Sequence, residues 1–271
     1  MNASGSSRTL VIMELGVRIV TWNVNGMRAA LRKNFANHLE ELAPDVLLLQ
    51  EVRATPDQLP PEWATPAGWH VAWHPAEKAG YAGTAVWSRH AIELVGKGVG
   101  ADDPEGRVLR VRTGGVQVGS VYLPSGSSGP ERQASKEAWM AAFAPWAAVV
   151  QASDEPVVLG GDLNIAHTEN DIWNPKGNAK LSGFLPHERA WFGEALLAAG
   201  WRDLVREHVG PVVGPYSWWS NRGQARALNR GWRIDYLLGN AAAGKVKAAS
   251  VHRAGGLETS DHAPVVVDLD L

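Results

Sequence analysis

Short apolar runs rich in β-branched residues recur along the chain, and each gives way to a polar cluster. They are VRIVTWNVNG (17–26), DVLLLQEVR (45–53), TAVWSR (84–89), VLRVRTGGVQVGSVYLPSG (108–126), VVLGGDLN (157–164), RIDYLLGN (233–240) and HAPVVVDLDL (262–271). Several are too short for helices and are bounded by Gly, Pro or Asn, so they predict strands. Helical spacing appears between them. In AALRKNFANHLEELA (29–43), Leu31, Phe35, Leu39 and Leu42 share a face and Pro44 stops the helix. PERQASKEAWMAAFAPWAAVVQ (130–151) opens on Pro130 and Glu131, favourable in a first turn. HERAWFGEALLAAG (187–200) groups Trp191, Ala195, Leu196 and Ala199, with Gly200 placed for a left-handed C-terminal residue. The interleaving predicts an α/β (α+β) protein with two sheets back to back, each covered outside by helices. No Pro/Gly/Ser linker divides the chain, and SGSSG (125–129) is short enough to be a loop. The expected organisation is a flexible tail over 1–16 and one domain over 17–271.

Composition narrows this picture. The 271 residues are 45% hydrophobic and 20% charged, which is globular rather than disordered. There is no cysteine, so disulfides and thiolate metal sites are excluded and any ion must be held by oxygen or histidine. The N-terminus MNASGSSRTLVIMELG lacks the basic start and long apolar core of a signal peptide, and Met13 is a second candidate start. The longest uncharged run, Ala138–Ser153, is shorter than the roughly 20 residues of a spanning helix and contains Pro145, so it predicts a buried kinked helix. The expectation is a soluble, cytoplasmic protein without membrane contact. The formal net charge of −2 excludes a protein that coats nucleic acid through overall basicity, but not an enzyme with a local basic face. Most of the thirteen tryptophans are expected in the core, with one or two left as exposed wedges or stacking surfaces.

The candidate chemistry is positional. Asn23 and Asn25 follow the first strand, and Gln50 and Glu51 the second. Tyr122 ends the fourth run, Asp162 and Asn164 the fifth, while Asp261 and His262 lead into the last. Strand ends are rigid mounts, and ligands of α/β sheets gather there. The set is rich in oxygen and suits a hard divalent cation such as Mg²⁺. Glu51 is the foremost carboxylate ligand, because it ends a run of leucines where an unsatisfied acid is costly. Each residue taken singly has a plainer reading. The asparagines fit turns, Asp162 a helix cap, Glu51 a pair with Arg53, and His262 a structural hydrogen bond. Their recurrence at equivalent strand ends favours a site.

The motifs WNVNGMRA (22–29), LLLQEVR (47–53), EGRV (105–108), YLPSG (122–126), GGDLNIAH (160–167), NPKGN (174–178), ERAWF (188–192), WRIDYLL (232–238) and SDHAPVVVDL (260–269) occur in one order over 17–271. Together they resemble the exonuclease III family of abasic-site endonucleases, within the endonuclease/exonuclease/phosphatase superfamily. GDLN and SDH are widespread in the superfamily; NPKGN, ERAWF and WRIDYLL are narrower. The resemblance implies a four-layer sandwich of two mixed β-sheets flanked by helices. It also implies Mg²⁺-dependent hydrolysis (Mn²⁺ as a substitute) of the phosphodiester 5′ to an abasic site, with removal of blocked 3′ ends and 3′→5′ exonuclease activity. The implied partner is double-stranded DNA carrying such lesions, engaged by a monomer.

By motif position, the resemblance gives Glu51 the metal, with Asn23 and Asp261 near it. Asp162 would orient or deprotonate the attacking water, Asn164 and Tyr122 would hold the scissile phosphate, and His262, oriented by Asp235, would donate to a phosphate oxygen. Trp218, Trp232 and Ile234 would wall a pocket for a flipped, baseless sugar. Arg28, Arg53, Lys78, Asn178, Lys180 and Arg233 would contact DNA phosphates. The double glycine before Asp162 is expected to form a turn permitting close approach of water and substrate. One departure stands out: LPSGSSG puts Ser125 where many relatives carry asparagine, which bears on how duplex DNA is engaged. The alternative is another phosphodiesterase or phosphatase of the superfamily with a non-DNA substrate. A catalytically silent scaffold predicts the loss of a core polar residue, and none is missing. The histidine motifs GNH and GH×H of unrelated two-metal phosphoesterases are absent.

Overall fold

The computed structural model describes residues 16–100 and 102–271. Except for Gly16, which opens the first strand, the expected tail and the second candidate start at Met13 lie outside the described residues. Twelve strands are described: β1 (Gly16–Asn23), β2 (Val46–Gln50), β3 (His70–His74), β4 (Thr84–Ser88), β5 (Glu93–Lys97), β6 (Val108–Thr113), β7 (Val116–Tyr122), β8 (Val157–Asp162), β9 (Arg202–Asp203), β10 (Asp235–Gly239), β11 (Lys245–Val251) and β12 (Val265–Asp270). The helices are α1 (Met27–Leu31), α2 (Phe35–Leu42), α3 (Pro61–Ala64), α4 (Pro130–Gln151), α5 (Pro175–Asn178), α6 (Pro186–Trp191), α7 (Leu204–Val209) and α8 (Arg253–Glu258).

The strands form two six-stranded mixed sheets, ordered β11-β12-β1-β2-β4-β3 and β5-β6-β7-β8-β10-β9. Each has one parallel pair near its centre, β1 with β2 and β7 with β8. Between the sheets, Ile19, Leu48, Val86 and Val267 meet Val111, Val118, Val158 and Leu237. Outside the first sheet, Trp22, Leu49 and Trp87 pack on Phe35 and Leu42 of α2. Outside the second, Val121, Leu159 and Tyr236 pack on Met140, Phe143 and Ala147 of α4 and on Phe192 and Leu196. The result is the four-layer sandwich expected from the alternation of short strands and amphipathic helices.

Several local expectations are corrected. The segment 29–43 is not one helix: α1 and α2 are separated by a turn, which leaves Leu31 and Leu39 half-buried. The run 108–126 is a hairpin, β6 and β7 meeting at Gly114–Gly115. Helix α4 runs through Pro145 and buries a single stripe, Lys136, Met140, Phe143, Ala147 and Val150; Val149 is 77% exposed. After α6 the helix widens into a π-helical stretch, Phe192–Leu197, so Phe192 and Leu196 are buried while Ala199 is exposed. No helix of the described residues is long and apolar enough to cross a membrane.

Candidate active site at the seam of the sheets

The register explains why polar residues cluster at strand ends. Asp162 closes β8 with Tyr122 of β7 opposite on one side and Asp235 of β10 on the other. Asn23 closes β1 opposite Gln50 of β2, and Glu51 follows directly. Both central parallel pairs thus end at the same rim. A buried polar bridge aligns the layers there: Thr21 donates to Gln50 Oε1 at 3.2 Å, and Gln50 Nε2 donates to Ser120 Oγ of the other sheet at 2.9 Å.

The double glycine is not a turn; both residues lie inside β8. A Cβ on Gly160 would meet Leu237 at 2.6 Å and Leu48 at 2.7 Å, so its absence lets the sheets approach. A Cβ on Gly161 would lie 1.8 Å from the carbonyl oxygen of Val121 on β7. Gly161→Ala therefore has to part β7 from β8 just before Asp162. The expected outcome is a loss of about 2 kcal/mol or more in urea denaturation together with loss of activity; a variant of wild-type stability would show that the strands can separate at no cost.

Three ionisable groups form the buried centre. His262 Nδ1 lies 2.9 Å from Asp235 Oδ2, and its Nε2 lies 3.7 Å from Asp162 Oδ2. Burial alone would lower the imidazole pKa, but Asp235 and Asp162 raise it to about 10. Burial pushes Asp162 up; His262 opposes this, Asp235 and Glu51 add to it, and its pKa reaches about 7. Neutral donors hold the Asp162 carboxylate: Asn23 Nδ2 at 2.9 Å, Asn164 Nδ2 at 3.2 Å and the Asn164 backbone N–H at 2.9 Å. Asp162 caps no helix. The other contact of the Asn164 amide is a 2.8 Å bond to the Leu123 carbonyl.

Glu51 faces this centre from the first sheet. Its Oε1 accepts from Tyr122 Oη at 2.6 Å and Asn23 Nδ2 at 3.0 Å, while Oε2 pairs with Arg53. Both the plainer reading, a pair with Arg53, and the placement at the rim therefore hold. Burial, then Glu51, raise the Tyr122 hydroxyl well above its ordinary pKa, so it stays protonated and donates. Glu51 and Arg53 have φ of 50° and 49°, a left-handed conformation costing roughly 1–3 kcal/mol for residues other than glycine. Gly26 N–H to Glu51 O and Met27 N–H to Val52 O fix the loop that imposes it. Across the rim, Asp261 accepts from Asn25 Nδ2 at 2.7 Å and Trp218 Nε1 at 3.2 Å. Burial opposes its ionisation, but His262 and these donors lower its pKa.

A cleft of about 580 Å³ opens over Glu51, Tyr122, Asp162, Asn164, Asp261 and His262. One wall is apolar. Trp218 and Trp232 exchange backbone hydrogen bonds, their rings meet edge to face at 6.0 Å, and both pack on a cluster containing Ile234 and Phe184. Trp219, the neighbour, is core. Ser125, Ser127 and Lys180 also line the cleft.

A family model described as Endonuclease/Exonuclease/phosphatase family matches residues 20–262. The chain belongs to this family. Among its relatives within the family, an exodeoxyribonuclease of Bacillus subtilis is 37% identical, covering 94% of this chain and all of that protein. A DNA-(apurinic or apyrimidinic site) endonuclease of Dictyostelium discoideum is 32% identical, over 96% of this chain and 72% of that one. A solved structure of the 3′ phosphatase NExo from Neisseria, bound to a product DNA hairpin, superposes with a TM-score of 0.84 at 31% identity, over 94% of this chain and 100% of that one.

In this endonuclease/exonuclease/phosphatase chain, the residues expected on DNA phosphates are scattered. Arg53 sits at the rim beside Glu51, and Lys180 lines the cleft. Arg28 and Lys78 are exposed but do not line it, and Asn178 donates its amide to the Trp173 and Asn174 carbonyls of its own turn. Arg233 is corrected outright. It is 2% exposed, with Nε 2.6 Å from Asp171 Oδ1 and Nη2 2.8 Å from Asp203 Oδ2, so its guanidinium is spent on an internal ion-pair network. The exposed tryptophan is Trp173, at 40%, beside NPKGN.

Several residues that support the candidate site carry little signal of it in the sequence. Ser217 donates to Asp235 Oδ2 at 2.6 Å, and Ser260 ties the Asn23 carbonyl to the loop bearing His262. Arg107 stacks 4.8 Å over Tyr122 and donates to its carbonyl. Lys136, fully buried, bonds Glu188 at 2.6 Å and the Asn164 carbonyl at 2.9 Å. The one available signal was in α4, where Lys136 falls on the apolar stripe.

Proposed function

We propose that this protein is a DNA-repair nuclease that hydrolyses the phosphodiester 5′ to abasic sites and clears blocked 3′ ends, with 3′→5′ exonuclease activity. The observation that carries the reading is the Asp162–His262–Asp235 centre facing Glu51 and Tyr122 beneath an apolar wall. Residues 17–271 act as one domain, and a monomer suffices for one lesion.

The donor set fits a hard divalent cation. Two carboxylates, Glu51 and Asp261, border the cleft, held by uncharged amide, hydroxyl and indole donors, and the one positive group on Glu51 is the half-exposed, displaceable Arg53. Mg²⁺ (or Mn²⁺) would be held by Glu51 with Asn23 and Asp261 near it, supplying Lewis acidity to the phosphate and charge compensation to the leaving oxygen. The alternative triad of Asp162, Asp235 and His262 is a poor ligand set, because an imidazole protonated on both nitrogens has no lone pair to give.

The chain's own groups perform the rest. Asp162 accepts a proton from the attacking water, and a pKa near neutrality suits a general base. Asn23 and Asn164 aim its carboxylate. His262, fixed through Nδ1 by Asp235, donates from Nε2 to a non-bridging phosphate oxygen as negative charge builds. The Tyr122 O–H, which here donates to Glu51, turns to donate to an oxygen of the scissile phosphate when substrate is bound. Trp218, Trp232 and Ile234 receive a sugar without its base, for which the wall offers contact but no hydrogen-bonding edge. Arg53 and Lys180 contact flanking phosphates.

The test is a duplex with one tetrahydrofuran residue, 5′-labelled on the lesion strand. Incision on the 5′ side is expected with Mg²⁺ and none after chelation. An uncut duplex, with hydrolysis of a nucleotide or inositol phosphate instead, overturns the reading.

A further inference from the structure

Away from the cleft, two histidines and a glutamate converge between α2 and α8. His38 Nδ1 lies 3.0 Å from His252 Nε2 and 3.4 Å from Glu41 Oε2, and His252 Nε2 lies 3.3 Å from the same carboxylate oxygen. The three atoms make a nearly equilateral triangle. Tetrahedral zinc, with bonds of about 2.0–2.1 Å to nitrogen and oxygen, has ligand-to-ligand edges of about 3.3–3.4 Å. We infer that His38, Glu41 and His252 form a binding site for a zinc-class divalent ion, with a fourth position for water.

The surroundings set the tautomer that a ligand needs. Nε2 of His38 faces Glu258 Oε2 at 3.3 Å, and the Asn34 amide, 3.4 Å from the same nitrogen, gives its short bond, 2.6 Å, to that carboxylate. A proton on Nε2 leaves the Nδ1 lone pair directed at His252 and Glu41. This is the carboxylate–histidine arrangement that orients metal-bound imidazoles. Without an ion, three facing acceptor atoms have at most the Nε2 proton of His252 to share. The donors also choose the metal: two nitrogens and one carboxylate suit zinc and disfavour Mg²⁺, which prefers oxygen. His38 is fully enclosed, its side chain 2% exposed, while His252 and Glu41 border a pocket of about 270 Å³ that admits solvent.

The ion would staple two parts of the chain. His38 and Glu41 lie one turn apart on α2, and His252 precedes α8, which leads to Ser260, Asp261 and His262. The site is therefore a structural clamp behind the loop that supplies two rim residues.

Calorimetric titration of chelator-treated protein with Zn²⁺ in excess Mg²⁺ tests this, with Co²⁺ absorption as an independent readout. One equivalent with a tetrahedral Co²⁺ spectrum is expected, weakened at least about 100-fold in His252→Ala and about 10-fold or more in Glu41→Gln, with Glu51→Gln binding as wild type. Zn²⁺ should raise the Tm of wild type and not that of His252→Ala. Both variants change partly exposed side chains, so folding is checked by their metal-free melting. No binding by wild type, or binding that survives His252→Ala and is lost in Glu51→Gln, overturns the inference.

Discussion

Asp162→Asn should lower kcat by about 10²–10⁴ while leaving DNA affinity unchanged or higher. The substitution keeps the shape, and the single amide oxygen can still accept either from Asn23 and Asn164 Nδ2, which bond Oδ2, or from the Asn164 backbone N–H, which bonds Oδ1, though not from both sides. What it removes from the chemistry is the uptake of a proton from water. It also removes a negative charge from beside the phosphate position, so binding has no electrostatic reason to weaken. Single-turnover cleavage and filter binding on the tetrahydrofuran duplex separate the two effects. Activity within a few-fold of wild type would assign the base elsewhere, and a parallel loss of binding would make Asp162 a structural residue.

Arg233→Met should destabilise the fold by about 3–5 kcal/mol, because Asp203 loses its ion pair and Asp171 keeps only Arg206. The effect should depend on pH. Burial works against ionisation of Asp171, but Arg233 and its hydrogen bonds bring its pKa down to about 2. A depressed folded-state value means stability that is complete above the unfolded-state pKa of about 4 and is lost as pH falls through about 2, on the order of 2–3 kcal/mol. Without Arg233 the folded value rises toward the unfolded one, so the gap between wild type and variant narrows in acid. Urea denaturation at neutral pH and near about pH 3 reads this. At a temperature where the variant is folded, its DNA affinity and salt dependence should match wild type, since no phosphate contact is lost. A variant as stable as wild type but weakened on DNA would return Arg233 to the interface.

Much of the rim was legible because a carboxylate at the end of an apolar strand is locally conspicuous. Glu51 after three leucines and a glutamine, and Asp162 after two valines, a leucine and two glycines, advertise themselves without any knowledge of partners. The strands not foreseen, β3, β5, β9 and β11, are the four edges of the two sheets. An edge strand such as Lys245–Val251 is half-exposed, carries charge and lacks the apolar run of a central strand, so its pattern is weak. Arg233 was misread for a different reason. An arginine beside an apolar strand looks like a surface charge unless Asp171 and Asp203 are seen, and they are supplied from other parts of the chain. The same holds for Lys136 and Glu188, 52 residues apart and both fully buried.

The chemistry is divided between layers. Asn23 and Glu51 belong to one sheet; Tyr122, Asp162 and Asp235 belong to the other. The contacts from Glu51 to Tyr122 and from Asn23 to Asp162 cross the boundary at 2.6 and 2.9 Å. Turnover is thus a gauge of how the two halves of the sandwich are aligned. A sliding of one sheet by a single ångström would leave every strand intact and the core dry, yet break both contacts at once. Heat or denaturant that loosens the interlayer fit should silence the enzyme before its secondary structure melts.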